Sequence, residues 1–213
     1  MASLLNAILV VVLGLNLFAL GTSRILSVIR IVAAQGAMLG LLPLLVHEHV
    51  RLPALLMTVA AVGLKGVVIP AMLVRALRDA HITREVEPLI GLLPSMILGA
   101  MATAFALLLA NSLPLAPQHE GSLLAPASIA TVLVGFLLLI TRFKAISQVI
   151  GYLVLENGIF VFGMLLVESM PLIVELGVLL DLFVGIFVIS IIVHHINRAF
   201  SSMDTRKLVS LRE

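Results

Sequence analysis

The sequence predicts an all-α, polytopic membrane protein of about seven transmembrane helices. Three observations carry this. Of its 213 residues, 62% are hydrophobic and only 11% charged, with a mean hydropathy of +1.25, whereas soluble domains carry roughly 25% charged residues. The apolar residues fall in runs of about 20, the length that crosses a bilayer as a helix. The basic residues are confined almost wholly to alternate connections. Composition also excludes several classes. With no Cys there is no disulfide, no thiolate-held iron–sulfur cluster and no cysteine zinc site. A net charge of +2 gives no footprint for nucleic acid. No Trp and a single Tyr (Tyr152) leave the aromatic belt too thin to place the interfaces.

The apolar runs predict helices at 2–21, 25–46, 54–75, 89–111, 123–141, 146–167 and 172–194. The first run is followed by small residues, but no Lys or Arg precedes it, so it reads as a membrane helix and not as a secretory signal. Breakers and charges separate the runs: Gly21-Thr-Ser-Arg24, His47 to Pro53, Arg78 to Pro88, Pro114 to Gly121, Thr141 to Lys144 and Glu168 to Pro171. Numbering the connections from an outside N-terminus puts eleven of the thirteen basic residues inside: Arg24, Arg30, Arg75, Arg78, Arg84, Arg142, Lys144, Arg198, Arg206, Lys207 and Arg212. Arg51 falls outside and Lys65 within a helix. The positive-inside rule therefore predicts N-terminus out and C-terminus in.

Four stretches organise the chain: an N-terminal three-helix unit (1–88), a connecting helix with an outside loop (89–121), a second three-helix unit (122–195) and an inside tail (196–213). The two units share a plan. Arg24 and Arg30 precede Gln35-Gly36, and Leu52-Pro53 leads into the helix with Lys65. Arg142 and Lys144 precede Asn157-Gly158, and Met170-Pro171 leads into the helix with Asp181. Parallel repeats of this kind occur in membrane transport proteins; the shared plan fits either a degenerate repeat or the general likeness of membrane helices.

Three ionisable residues stand inside apolar runs. Glu156 lies in Gly151-Tyr-Leu-Val-Leu-Glu-Asn-Gly158, about 15 Å along its helix, near the middle of a hydrocarbon core about 30 Å thick. An acid there costs about 2.5–3.5 kcal/mol to insert and marks an ion or proton path by default. The plainer alternative is a neutral carboxyl hydrogen-bonded across helices. Asp181 enters from the other side to a similar depth and makes a second relay candidate. Lys65, between Gly63 and Gly66 and ahead of Pro70, is a candidate charge partner for an acid of this chain or of a neighbouring subunit. Asn157 and Gln35 are supporting polar groups, and Asn6 and Asn16 ordinary interhelical hydrogen-bonders. Glu48, Glu168 and Glu175 read as solvated, the alternative being a proton exit, and His194-His195 as surface residues, the alternative being proton reception at the inner end. His47 and His49 lack a third ligand. No phosphate-binding glycine loop and no nucleophile beside a base is present, so any catalysis belongs to another subunit.

The stretch 141–195 resembles subunit K of respiratory complex I. The resemblance rests on Arg142-Phe-Lys144, Gly151-Tyr-Leu-Val-Leu-Glu156-Asn-Gly and Leu180-Asp181-Leu-Phe-Val-Gly185. Glu156 matches that family's glutamate in its second helix. Asp181 stands where the family has a second glutamate, one methylene longer. With the matching part at the end of a longer chain, the whole resembles the hydrogenase-4 component E family of group 4 nickel–iron hydrogenases and formate hydrogenlyases. The resemblance implies a subunit of a bacterial or archaeal cytoplasmic membrane, contributing Glu156 and Asp181 to a proton path. It also implies antiporter-like membrane-arm partners and a peripheral hydrogenase on the cytoplasmic side, whose subunits hold the nickel–iron and iron–sulfur centres; this chain is expected to hold no cofactor. Two other readings stay open: a subunit of a multi-subunit cation/proton antiporter, and a purely structural membrane-arm subunit.

Overall fold

In a computed structural model, residues 2–46, 52–79, 89–114, 121–166 and 177 are described. Every extended element among them is a helix. They are α1 (Ala2–Gly21), α2 (Ile25–Gly40), α3 (Leu42–Val46), α4 (Leu52–Gly63), a π-helical turn (Leu64–Val68), α5 (Ile69–Asp79), α6 (Leu92–Ala110), α7 (Leu124–Thr141) and α8 (Ala145–Met164). Among the described residues, five helical stretches are long and apolar enough to cross a membrane: Ser3–Gly21, Ile25–Leu44, Leu92–Ala110, Leu124–Thr141 and Ile146–Met164. The run predicted at 172–194, with Asp181, lies outside the described residues except for Gly177.

Two prolines account for the departures from plain α-helix. Pro43 cannot donate to the carbonyl of Leu39, and the chain divides at Leu41 into α2 and α3. Pro70 cannot donate to the carbonyl of Gly66, and its ring would crowd that carbonyl in a regular helix. The turn ahead of it is widened: the Ile69 N–H bonds the carbonyl of Leu64, five residues back. The single helix predicted at 54–75 is therefore α4 and α5 joined by this π turn.

Side-chain hydrogen bonds fix the directions of the helices. Asn6 Oδ1 accepts from the Leu123 N–H at 3.0 Å, and Arg142 Nη2 donates to the Leu20 carbonyl at 2.8 Å. Both ends of α1 are thus tied to the matching ends of α7, and the two run parallel. α8 returns antiparallel to α7 through glycine contacts. A Cβ on Gly151 would sit 2.8 Å from the Leu139 nitrogen, and one on Gly158 would sit 2.6 Å from the Val132 nitrogen. Only glycine permits this backbone approach, as small residues do in membrane helix pairs. One core cluster joins Leu20, Val28, Ile29, Leu73, Leu138, Ile150 and Val154, so the two three-helix stretches share an interior. The basic turns after α1 and α7 and the end of α5 lie at one end of the bundle. α6 turns only Ser95, Gly99, Ala106 and Ala110 inward, and leaves Leu93, Met101, Phe105 and Leu108 exposed, as a helix facing lipid does.

A buried amide chain crosses the bundle. Gln35 Nε2 donates to Asn16 Oδ1 at 2.9 Å, Asn16 Nδ2 to Thr131 Oγ1 at 2.8 Å, and Thr131 to the Ala127 carbonyl at 2.7 Å. Asn16→Leu leaves the buried Gln35 amide without its acceptor, a loss of about 1–3 kcal/mol. Reversible unfolding in lipid micelles measures it, and unchanged stability would show the chain to be incidental.

Candidate functional site

The site forms where the π turn meets α8. Lys65 Nζ lies 3.1 Å from Glu156 Oε1, with side-chain exposures of 12% and 4%. Glu156 stands about 16 Å along α8, and Lys65 lies about midway along the helical path from Leu52 to Asp79. The pair is therefore far from both ends of the bundle. Phe160, one turn beyond Glu156 on α8, presents its ring 5.1 Å from the same ammonium, within the range of a cation–π contact. The cation thus has a carboxylate and an aromatic face from one stripe of α8.

Three local features bring Lys65 there. Gly36 on α2 lets the π turn approach so closely that a Cβ would sit 2.9 Å from Lys65 Cβ. Gly66 allows the reciprocal approach of Ala37, 3.0 Å from its own built Cβ. The π turn adds a residue to the helical circuit, shifting the angular position of Lys65 relative to a regular helix.

Beside the pair is a small cleft of about 10 Å³, room for about one water molecule, partly open to the surroundings. Its apolar wall comes from α2, α5 and α8, including Ile29, Val32, Ile69, Leu73, Ile150 and Leu153, with Pro70 at the helix break. Its polar groups are Lys65, Glu156 and Asn157. Apolar walls keep the local dielectric low and strengthen the ion pair. Breaking the pair demands that a proton or another charge take the place of the lost partner.

Of the residues singled out in the sequence, the structure brings Glu156, Lys65 and Asn157 together. It sends the Gln35 side chain to Asn16 instead of the pair. Asp181 lies outside the described residues, as do the side chains of His47, Glu48 and His49 and the residues Glu168, Glu175, His194 and His195. Phe160 was not foreseen. Its signal was present, an aromatic one turn from a buried acid, but it matters only once a cation occupies the same face. The burial of Arg142 to 2% exposure was also missed, because arginines in turns are usually solvated.

A comparison with curated proteins finds a relative in Mycobacterium tuberculosis (strain ATCC 25618 / H37Rv), the uncharacterized protein Rv0085. It is 34% identical over 194 residues, which cover 88% of this chain and 86% of that one. No protein-family model matches the chain, and no solved structure matches it.

Proposed function

We propose that this chain, which belongs to the family of the mycobacterial protein Rv0085, is a seven-span membrane subunit of a redox-driven, proton-translocating complex. The complex is of the group 4 nickel–iron hydrogenase or formate hydrogenlyase type. The chain sits in a cytoplasmic membrane with its N-terminus outside and its C-terminus inside. Glu156 takes and releases the proton, Asp181 continues the path, and Lys65 is the counter-charge. The nickel–iron and iron–sulfur centres belong to partner subunits; a chain without cysteine offers no thiolates to hold them. The observation that carries this reading is the buried Lys65–Glu156 contact at 3.1 Å, midway along the helices and beside a cleft. Protonation of Glu156 cancels the negative charge that holds the ammonium, so proton arrival and Lys65 movement are linked. The resemblance of 141–195 to complex I subunit K supports the identity of the machine.

The direct contact between the two charges also suits the structural alternative, in which the pair only fastens α8 to the π turn. Glu156→Gln separates the two. In membrane vesicles bearing the intact complex, the relay reading expects normal co-purification of subunits, among them a nickel–iron large subunit. It expects redox-driven proton movement, followed with a pH-sensitive dye, to fall by about tenfold or more, as for loss of a proton-transfer group. An assembled complex with undiminished proton movement makes the pair structural.

A further inference from the structure

At the basic end of the bundle, away from the Lys65–Glu156 pair, polar groups are buried without partners. Arg142 stands in the α7–α8 turn yet is only 2% exposed. Its Nη2 is occupied by the Leu20 carbonyl, while Nε and Nη1 are buried and make no hydrogen bond among the described residues. Burial pushes its pKa below the usual guanidinium range. Ser147 Oγ, in the first turn of α8, is also buried without a partner, in a residue 4% exposed. The antiparallel register sets Gly158 against Val132 and Gly151 against Leu138 and Leu139. Continued one turn, it places position 147 opposite positions 142 and 143. The N-cap residue of α8, Lys144, makes no side-chain cap, and its first turn has no acidic residue.

These groups are almost all donors. The guanidinium offers two N–H directions, the serine a hydroxyl, and the uncapped helix start its N–H groups and the positive end of its dipole. A native protein seldom leaves such a set buried and unanswered. We propose that Arg142, Ser147 and the first turn of α8 form a binding site for a phosphate group, supplied by the headgroup of an anionic lipid. A carboxylate has two oxygens on one edge, whereas a phosphate presents oxygens in several directions and meets donors that converge from a side chain and a helix start. The basic end of an apolar bundle is where lipid phosphates lie, and cationic pockets between membrane helices bind them. The donors are beneath the surface, so a neighbouring side chain turns aside as the phosphate seats.

Native mass spectrometry of the purified full chain tests this with phosphatidylglycerol, diacylglycerol of the same acyl chains and inorganic phosphate as probes. The wild type is expected to retain one phosphatidylglycerol, with retention about tenfold weaker in Arg142→Gln, which loses the charged donors. Ser147→Ala, which keeps Arg142 and its bond to Leu20, is expected to weaken retention several-fold and guards against misfolding of the first variant. Binding of inorganic phosphate alone, lost in the same variants, supports the site and makes free phosphate its ligand. Equal retention by all three proteins, or retention of diacylglycerol equal to that of phosphatidylglycerol, overturns the proposal. So does a Glu85→Gln/Glu87→Gln double variant that loses as much stability as Arg142→Gln while the wild type binds no probe, since the anion is then the chain's own.

Discussion

Lys65→Met is expected to destabilise the bundle by about 3 kcal/mol, and Lys65→Met/Glu156→Leu to recover most of that loss. Removing one member of a buried ion pair leaves an uncompensated charge and typically costs about 3–5 kcal/mol, whereas replacing both with apolar groups of similar size is often neutral or stabilising. The lower end applies because Glu156, deprived of Lys65, can take up a proton and so shed its charge in place. The contact of the ammonium with Phe160 is lost as well. Reversible unfolding in lipid micelles gives both values. A double variant no more stable than the single one would mean that the two residues do not act as a pair. Stability and proton movement should then part company: the double variant folds, yet its complex moves no protons. A structural pair predicts the opposite, with function following stability.

Gly158→Leu should also be strongly damaging. A Cβ at this position would lie 2.6 Å from the Val132 nitrogen and 3.0 Å from the Ser128 carbonyl oxygen. Both are backbone atoms that cannot swing aside, so α7 and α8 must separate. Overpacking of this kind costs about 1–3 kcal/mol, and the displacement also disturbs the turn of α8 next to Glu156 and Asn157. The control is Gly14→Ala on α1, where an added Cβ meets nothing within 4 Å. There the gain in helix propensity should stabilise by about 0.5–1 kcal/mol. If both substitutions shift the unfolding midpoint alike, α7 and α8 are not held by glycine contact.

The helices were largely legible in the sequence because an apolar run between breakers is a local signal. The runs predicted at 89–111 and 123–141 are α6 at 92–110 and α7 at 124–141. The run at 54–75 was legible only in outline. Pro70 announced a disturbance, but whether a proline kinks, ends or widens a helix depends on the neighbours that satisfy its freed carbonyl. Asn16 and Gln35 were recognisable as interhelical hydrogen-bonders, while the direction Gln35 to Asn16 to Thr131 depended on which helices became neighbours. Arg142 carried no signal at all, since its burial depends on tertiary neighbours such as the end of α1, whose Leu20 carbonyl it bonds.

By itself, the sequence determined that this is a helical, apolar chain with its basic residues in alternate connections and three ionisable side chains set within apolar runs. Those properties follow from the cost of placing charge and open backbone in an apolar medium, which each segment meets separately. Only the tertiary structure decided that Lys65 and Glu156 meet, that Phe160 shares the cation and that Gln35 turns elsewhere. Such pairings depend on the distance between helix axes, and here that distance is set by glycines at 36, 151 and 158, where backbones touch.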